Sequence, residues 1–257
     1  MFEAKNKKHK KWPSSVFRFM RILFTGCIFM LPAPGICENQ PKPIIVVNPG
    51  HGGHDLGARG ADGTIEKNIT LTLAKRIVEN LKSRYQPILT RTGDYYLSIT
   101  ERTSIANYNK AALFVTIHAG GNYDFRTSGI TISYLDNTSN LNTFSQSPSL
   151  KNKNEGYGNI LWNEIHKNQI TKSIELGKCI QKRFSQNRQL SKNRLLSSPL
   201  RVLTGANMPA VMIEVGYLSN PIEEKKLQNN DYLAELAKEI TTGIDDFFMK
   251  AENHIPQ

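Results

Sequence analysis

Two histidines and two glutamates carry the chemistry latent in this chain. His51 lies within Asn48-Pro49-Gly50-His51-Gly52-Gly53-His54-Asp55-Leu56-Gly57-Ala58-Arg59-Gly60, thirteen residues that include five glycines. So glycine-rich a stretch cannot continue a helix or a strand, and the backbone must turn there. Glu66 and His118 follow at intervals that bring each to the end or start of an expected element. Two imidazoles and one carboxylate, with a fourth position left for water, form the donor set that catalytic zinc favours. Taken singly, each residue also has a plain structural account. A glycine turn can carry surface histidines, a histidine can end a strand, and a first-turn acid is favoured by the helix dipole. Glu214 adds weight to the chemical account, because it interrupts the apolar run Pro209-Ala210-Val211-Met212-Ile213-Glu214-Val215. An ionised carboxylate there is costly unless it is paired, metal-linked or used. Beside a metal that acidifies water it is suited to the role of general base; an ion pair with an arginine is the alternative. His54 and Asp55 read as loop residues or as supports behind the ligands.

The elements that must position these residues follow from periodicity. Residues 44–47 are a short β-branched run, a strand that delivers His51 to the carboxyl edge of a sheet, where α/β proteins place ligands. Ile69, Leu73, Ile77 and Leu81 recur every four residues, which predicts a helix to about Arg84 with Glu66 at or just before its first turn. Residues 87–90 read as a second strand. Ser98-Ile99-Thr100-Glu101 is a capping box opening a helix to about Asn109. Residues 113–117 form a third strand, ending at His118, and 129–135 a fourth, at an edge. The polar stretch 136–159 reads as a long loop, and a helix is expected over about 160–187. Residues 200–203 and 210–215 are two further strands; in the second, Met212, Glu214 and Gly216 share the face opposite Val211, Ile213 and Val215. Asn220-Pro221 caps a short helix, and Asp231 opens a last amphipathic one. Strands alternating with helices predict an α/β fold, a central, mostly parallel or mixed six-stranded sheet with helices on both faces.

The formal charge of +11 is concentrated at the start of the chain. Seven Lys and Arg against Glu3 give residues 1–21 a net +6, which leaves +5 for the remainder, too mild to suggest a nucleic-acid partner. Ten uncharged, mostly apolar residues, Ile22 to Leu31, follow the basic run, and then Pro32 and the small residues Ala33 and Gly35. This is the order of a secretory signal peptide, with an apolar segment too short to span a bilayer. The expected organisation is therefore a signal peptide over 1–35 and a single catalytic domain over 36–257. The mature chain would have no transmembrane span and would be exported to the periplasm or cell envelope. Cys179 sits on an apolar helical stripe as a small core residue, and no C-x-x-C offers a thiolate zinc site or redox pair.

The motifs also carry a resemblance. Pro49-Gly50-His51-Gly52-Gly53, Glu66-Lys67-Asn68-Ile69, Leu89-Thr90-Arg91, Glu101-Arg102 with Ala106-Asn107, Ile117-His118-Ala119 and the run Pro209 to Asn220 occur in the order seen in zinc-dependent N-acetylmuramoyl-L-alanine amidases of the type 3 family. The resemblance covers about residues 44–248. It implies one Zn2+ held by His51, Glu66 and His118, with Glu214 as catalytic carboxylate. It implies a peptidoglycan substrate, cleaved between N-acetylmuramic acid and L-alanine of the stem peptide. A regulatory envelope protein is a further partner the resemblance suggests. The chain departs from the family at Asn48, usually Asp, and at Gly120, usually Asn. A wall-binding protein that has lost catalysis is the rival reading, but all four functional positions are filled. Some family members plug the zinc site with a helix; Pro148, Gly156 and Gly158 and the thin apolar stripe of Leu150 and Tyr157 argue against one here.

Overall fold

Strand β1 (Ile44–Pro49) is the axis of the sheet, and its alternate residues face opposite ways. Ile45 and Val47 enter a large apolar cluster on one side, and Val46 enters a smaller one on the other. The computed structural model describes residues 41–135 and 156–252. Within them, β1 is followed by α1 (Glu66–Leu81), β2 (Gln86–Leu89), α2 (Ile99–Tyr108), β3 (Leu113–Gly120) and β4 (Ile130–Tyr134). Then come α3 (Gly156–Gln186), β5 (Asn193–Ser197), a 3-10 turn (Arg201–Leu203), β6 (Ala210–Tyr217), α4 (Pro221–Gln228) and α5 (Asn230–Glu252).

The six strands form one sheet in the order β2-β1-β3-β6-β4-β5. The strands β2, β1, β3 and β6 run parallel, β4 is antiparallel to β6, and β5 is parallel to β4. This is the mixed six-stranded α/β sheet expected from the alternation of elements. Helices α1, α3 and α5 cover one face. Leu73, Ile77 and Leu81 of α1, Leu176, Ile180 and Phe184 of α3 and Leu236, Ile240 and Ile244 of α5 pack there against Val115, Ile117, Val211 and Ile213. Each such Leu or Ile, fully buried, contributes about 1.5–3 kcal/mol over leaving it exposed. Cys179 lies in this cluster as a core residue. The opposite face is covered by α2 and the 3-10 turn, where Ala106, Phe114, Leu203 and Met212 meet.

Several boundaries differ from the sequence reading. The stretch 200–203 is not a strand. Leu200 is extended, but Arg201–Leu203 curl into the 3-10 turn that lays Leu203 on the smaller cluster. The fifth strand is Asn193–Ser197, an edge strand that is half to fully exposed, and its Asn-Arg-Leu-Leu-Ser shows neither alternation nor β-branched residues. Strand β4 is consequently interior, between β6 and β5. Helix α3 begins at Gly156, so 156–159 are helical rather than loop; residues 136–155, and the expected signal segment over 1–35, lie outside the described residues. The capping box of α2 is present, with Ser98 Oγ accepting from Glu101 N and Glu101 Oε2 accepting from Ser98 N. Asn220 caps α4 through Oδ1, with Pro221 in its first turn.

Candidate active site

The loop after β1 is bent by three successive residues with left-handed φ: His51 at 61°, Gly52 at 129° and Gly53 at 60°. A histidine in that region is uncommon and costs of order 1–3 kcal/mol, so neighbours must hold it. Two buried guanidiniums do so. Arg102 donates from Nη2 to His51 O (2.9 Å) and from Nη1 to Pro49 O (2.8 Å). Arg91 donates from Nη2 to Gly50 O (2.8 Å) and from Nε to Pro49 O (3.2 Å). Burial, and for Arg91 the neighbouring Arg102 charge, lower both pKa values, although guanidinium remains protonated. Asn48 ties the same clamp to the sheet. Its Oδ1 accepts from Arg102 Nη1 (2.9 Å) and Thr90 Oγ1 (2.6 Å), and its Nδ2 donates to Thr116 Oγ1 (2.6 Å).

The loop then returns to start α1, which has no capping side chain at Ile65. Loop carbonyls serve instead, Glu66 N donating to Ala58 O and Lys67 N to Leu56 O. The Glu66 carboxylate is thereby free to turn away from its helix. Its Oε2 lies 3.1 Å from His51 Nε2 and accepts from Ala58 N; its Oε1 lies 3.0 Å from His118 Nδ1 and accepts from Ala119 N. Burial disfavours its charge, but hydrogen bonds and charge from the two imidazoles outweigh that and hold the carboxyl at about 2. For His51, burial opposes the imidazolium, yet Glu66 and then Asp55 outweigh it and raise its pKa above 6.5. Asp55 Oδ1 lies 2.9 Å from His51 Nδ1 and is placed to accept its proton, which leaves Nε2 as the nitrogen available to an ion. His118 Nε2 is buried without a hydrogen-bond partner.

His51, Glu66 and His118 thus offer one ligand atom each within 4.8 Å of one another, a group able to hold a metal ion. The donor chemistry fits: two imidazoles, one ionised carboxylate, and a companion acid orienting one imidazole. His54 is not part of it; its ring stacks on Tyr96 with centroids 4.3 Å apart.

Glu214 enters from β6. It is the register partner of His118 on β3, so the two side chains leave the same face of the sheet about one strand spacing apart. Burial, and to a lesser extent the Glu66 charge, raise the Glu214 pKa; His118, the Tyr217 hydroxyl and the Arg194 charge pull it down without cancelling that. The Tyr217 hydroxyl donates to Glu214 Oε2 at 3.4 Å. A carboxylate beside a potential cation site can accept a proton from water and return it elsewhere.

Residues 45–246 match the family described as N-acetylmuramoyl-L-alanine amidase. The chain belongs to that family. A Buchnera aphidicola subsp. Baizongia pistaciae protein named for this amidase activity is 31% identical over 219 residues, 80% of this chain and 97% of its own length. Among solved structures, the catalytic domain of the amidase CwlV from Bacillus (Paenibacillus) polymyxa var. colistinus aligns with a TM-score of 0.65 at 26% identity, over 80% of this chain and 98% of that one. The CwlD amidase of Clostridioides difficile, solved in complex with the GerS lipoprotein, gives the same score and identity over 81% and 99%.

The two departures from the amidase pattern have local explanations. Asn48 both donates and accepts, which lets one amide join Thr90, Thr116 and Arg102. At Gly120, a Cβ would stand 2.8 Å from the Tyr217 ring and 3.3 Å from Glu214 Oε1, so this site has no room for a side chain there as Tyr217 now packs. The sequence reading gave no role to Arg91, Arg102, Tyr217 or Arg194. The motifs containing the first three were visible; Arg194 gave no signal because its strand was unrecognised.

Proposed function

We propose that this chain is a peptidoglycan hydrolase that cleaves the amide between N-acetylmuramic acid and L-alanine of the stem peptide. The observation that carries the reading is the pairing, across β3 and β6, of a half-buried carboxylate with a His-Glu-His cluster able to hold an ion. His51, Glu66 and His118 are the ligands of one Zn2+, which when bound supplies Lewis acidity for the amide carbonyl and lowers the pKa of water. Glu214 accepts the proton from water as it attacks and passes it to the leaving amine of alanine. Tyr217 fixes the carboxylate by its hydroxyl. Asp55 keeps the Nδ1 proton of His51 in place. Family membership and the amidase relatives support the same substrate.

The chain is proposed to be exported, with residues 1–35 as signal peptide and residues 36–257 as the catalytic domain, acting in the periplasm or cell envelope. Among the described residues no helix is long and apolar enough to cross a membrane. Intact mass of the protein recovered from the envelope fraction tests the cleavage. A regulatory envelope protein is a further proposed partner; the related CwlD amidase was solved in complex with a lipoprotein, GerS. Incubation with purified peptidoglycan followed by mass spectrometry tests the reaction: free stem peptides and glycan chains lacking peptide are expected. Fragments cut between sugars, or within the stem, would reject it.

A further inference from the structure

The sheet carries a row of register partners across four strands: His118 on β3, Glu214 on β6, Thr131 on β4 and Arg194 on β5. Directly opposed residues project from the same face. The row therefore begins at the candidate ion site, passes the catalytic carboxylate and ends on an arginine at the sheet edge. Arg194 is exposed, yet its side chain is not loose. Nε donates to Thr131 Oγ1 at 3.0 Å and Nη2 to Tyr217 OH at 3.1 Å, so the guanidinium lies back along the row toward Glu214. Both acceptors are neutral. Among the described residues no carboxylate is within ion-pair distance of Arg194, and none offers a hydrogen bond to its Nη1.

The Arg194 charge acts at a distance on Glu214, whose pKa it helps to lower. Its hydrogen bonds, however, go to neutral groups, which leaves the guanidinium arranged for an anion that arrives with the substrate. Laid end to end, the bonds from Nη2 to Tyr217 OH and from there to Glu214 Oε2 span about 6.5 Å, an upper bound on the separation. Extended peptide advances roughly 3.3–3.6 Å per residue, so the guanidinium stands no more than about two residues along a chain whose first amide is at Glu214, within reach of the second residue. An ionised Glu214 repels a second carboxylate on its own side, which leaves the β5 side of the guanidinium as the approach. We propose that Arg194 binds a carboxylate on the second residue of the stem peptide, and so sets the direction in which the peptide crosses the sheet. The glycan then lies on the side of β1 and its loop. This inference rests on the amidase reading, because it takes the scissile bond to be at Glu214.

The test pairs two substrates with two proteins. N-acetylmuramoyl-L-alanyl-glutamate, with its chain-terminal carboxyl blocked, is compared with the matched glutamine compound, on the zinc-loaded full chain and on Arg194→Gln. Wild type is expected to favour the acid by roughly 5- to 20-fold in kcat/KM, the range for a partly exposed charge-assisted contact. Arg194→Gln is expected to treat the two alike, and Arg194→Lys to recover part of the preference. The glutamine substrate separates this role from simple support of Tyr217, since loss of support slows both substrates equally and leaves their ratio unchanged. An acid preference of the same size in wild type and Arg194→Gln overturns the proposal, as does a wild type with no preference. Equilibrium binding of both compounds is measured on the same samples. If neither is cleaved, the amidase reading fails, and the binding ratio still decides the role of Arg194.

Discussion

Gly50→Ala is the sharpest probe of the candidate ion site, because one methyl group meets one proposed ligand. The glycine φ is outside the left-handed region, so alanine is conformationally allowed and its effect is steric. A Cβ built there stands 2.4 Å from His118 Cε1, 2.7 Å from Nδ1 and 2.8 Å from Nε2. Carbon atoms in ordinary contact sit about 3.5–4.0 Å apart, so the ring or the strand must give way by about 1 Å. Overpacking of this kind costs about 1–3 kcal/mol, which lowers Tm by roughly 2–4 °C per kcal/mol in a domain of this size. The binding loss should be larger. Disturbing a residue that merely supports a ligand already weakens metal affinity about 10- to 100-fold, and here the proposed ligand His118 is itself displaced. Zinc affinity is therefore expected to fall at least about 100-fold. Gly63→Ala is the control: its φ is +86° and the space around it is open, so it strains the backbone without touching the cluster. Competition with a chromogenic chelator gives the affinity, and thermal melts with and without zinc give the stability. If Gly50→Ala binds zinc within about threefold of wild type and melts like Gly63→Ala, the His118 ring is not where the ion binds.

Glu214→Gln should lower turnover by about 10²- to 10⁴-fold, the span of a lost general base. Zinc stoichiometry on the same sample should stay at the wild-type value, and a matching loss of zinc would make Glu214 a ligand. His51→Ala and His118→Ala should each empty the site, while His54→Ala, which removes only a stacking contact with Tyr96, should keep its zinc; elemental analysis separates these. Glu224 is buried and accepts from Asp62 N and Thr64 N, tying the returning loop to α4. Burial opposes its charge, but these bonds outweigh that and lower its pKa below 4.5, so its contribution is complete above pH 4.5 and fades as pH falls through the folded value. Glu224→Gln should thus cost about 1–3 kcal/mol at pH 7 and progressively less on acidification, measured by urea unfolding; a gap that widens in acid contradicts this. Finally, the purified mature chain should digest peptidoglycan unaided, and activity that appears only after removal of residues 137–158 would show that this segment inhibits.

What could be read from the sequence was what repeats or what is chemically rare. The period-four apolar stripe of α1 and the capping box of α2 are local signals, and both elements formed with boundaries close to those expected. Glu214 was legible because a charge in an apolar strand is expensive and must be answered by something nearby. Edge structure was illegible for the opposite reason. Strand β5 is half exposed, so burial imposes no alternation on it, and Leu200 to Leu203 imitates a strand while only Leu203 is fully buried. The error carried a cost for function, since Arg194 was hidden by the unrecognised strand.

Arg91 and Arg102 mark a deeper limit. In the sequence each is an arginine in a motif, indistinguishable from one that faces water. Their role exists only once β1, β2 and α2 converge and the carbonyls of Pro49, Gly50 and His51 all point inward. Those carbonyls are exposed to this demand because the loop abandons strand geometry at His51, where φ turns positive. A buried oxygen left without a donor costs about 1–3 kcal/mol, and the three are adjacent. One lysine could not span them, because its ammonium is a compact point charge, whereas a planar fork serves two or three oxygens at fixed spacing. The strained ligand loop therefore calls for arginine specifically. It also explains why Asn48 suffices at its position. Its amide needs to supply Arg102 with only one further acceptor, since two backbone oxygens of the loop and Leu97 O already take the remaining donors.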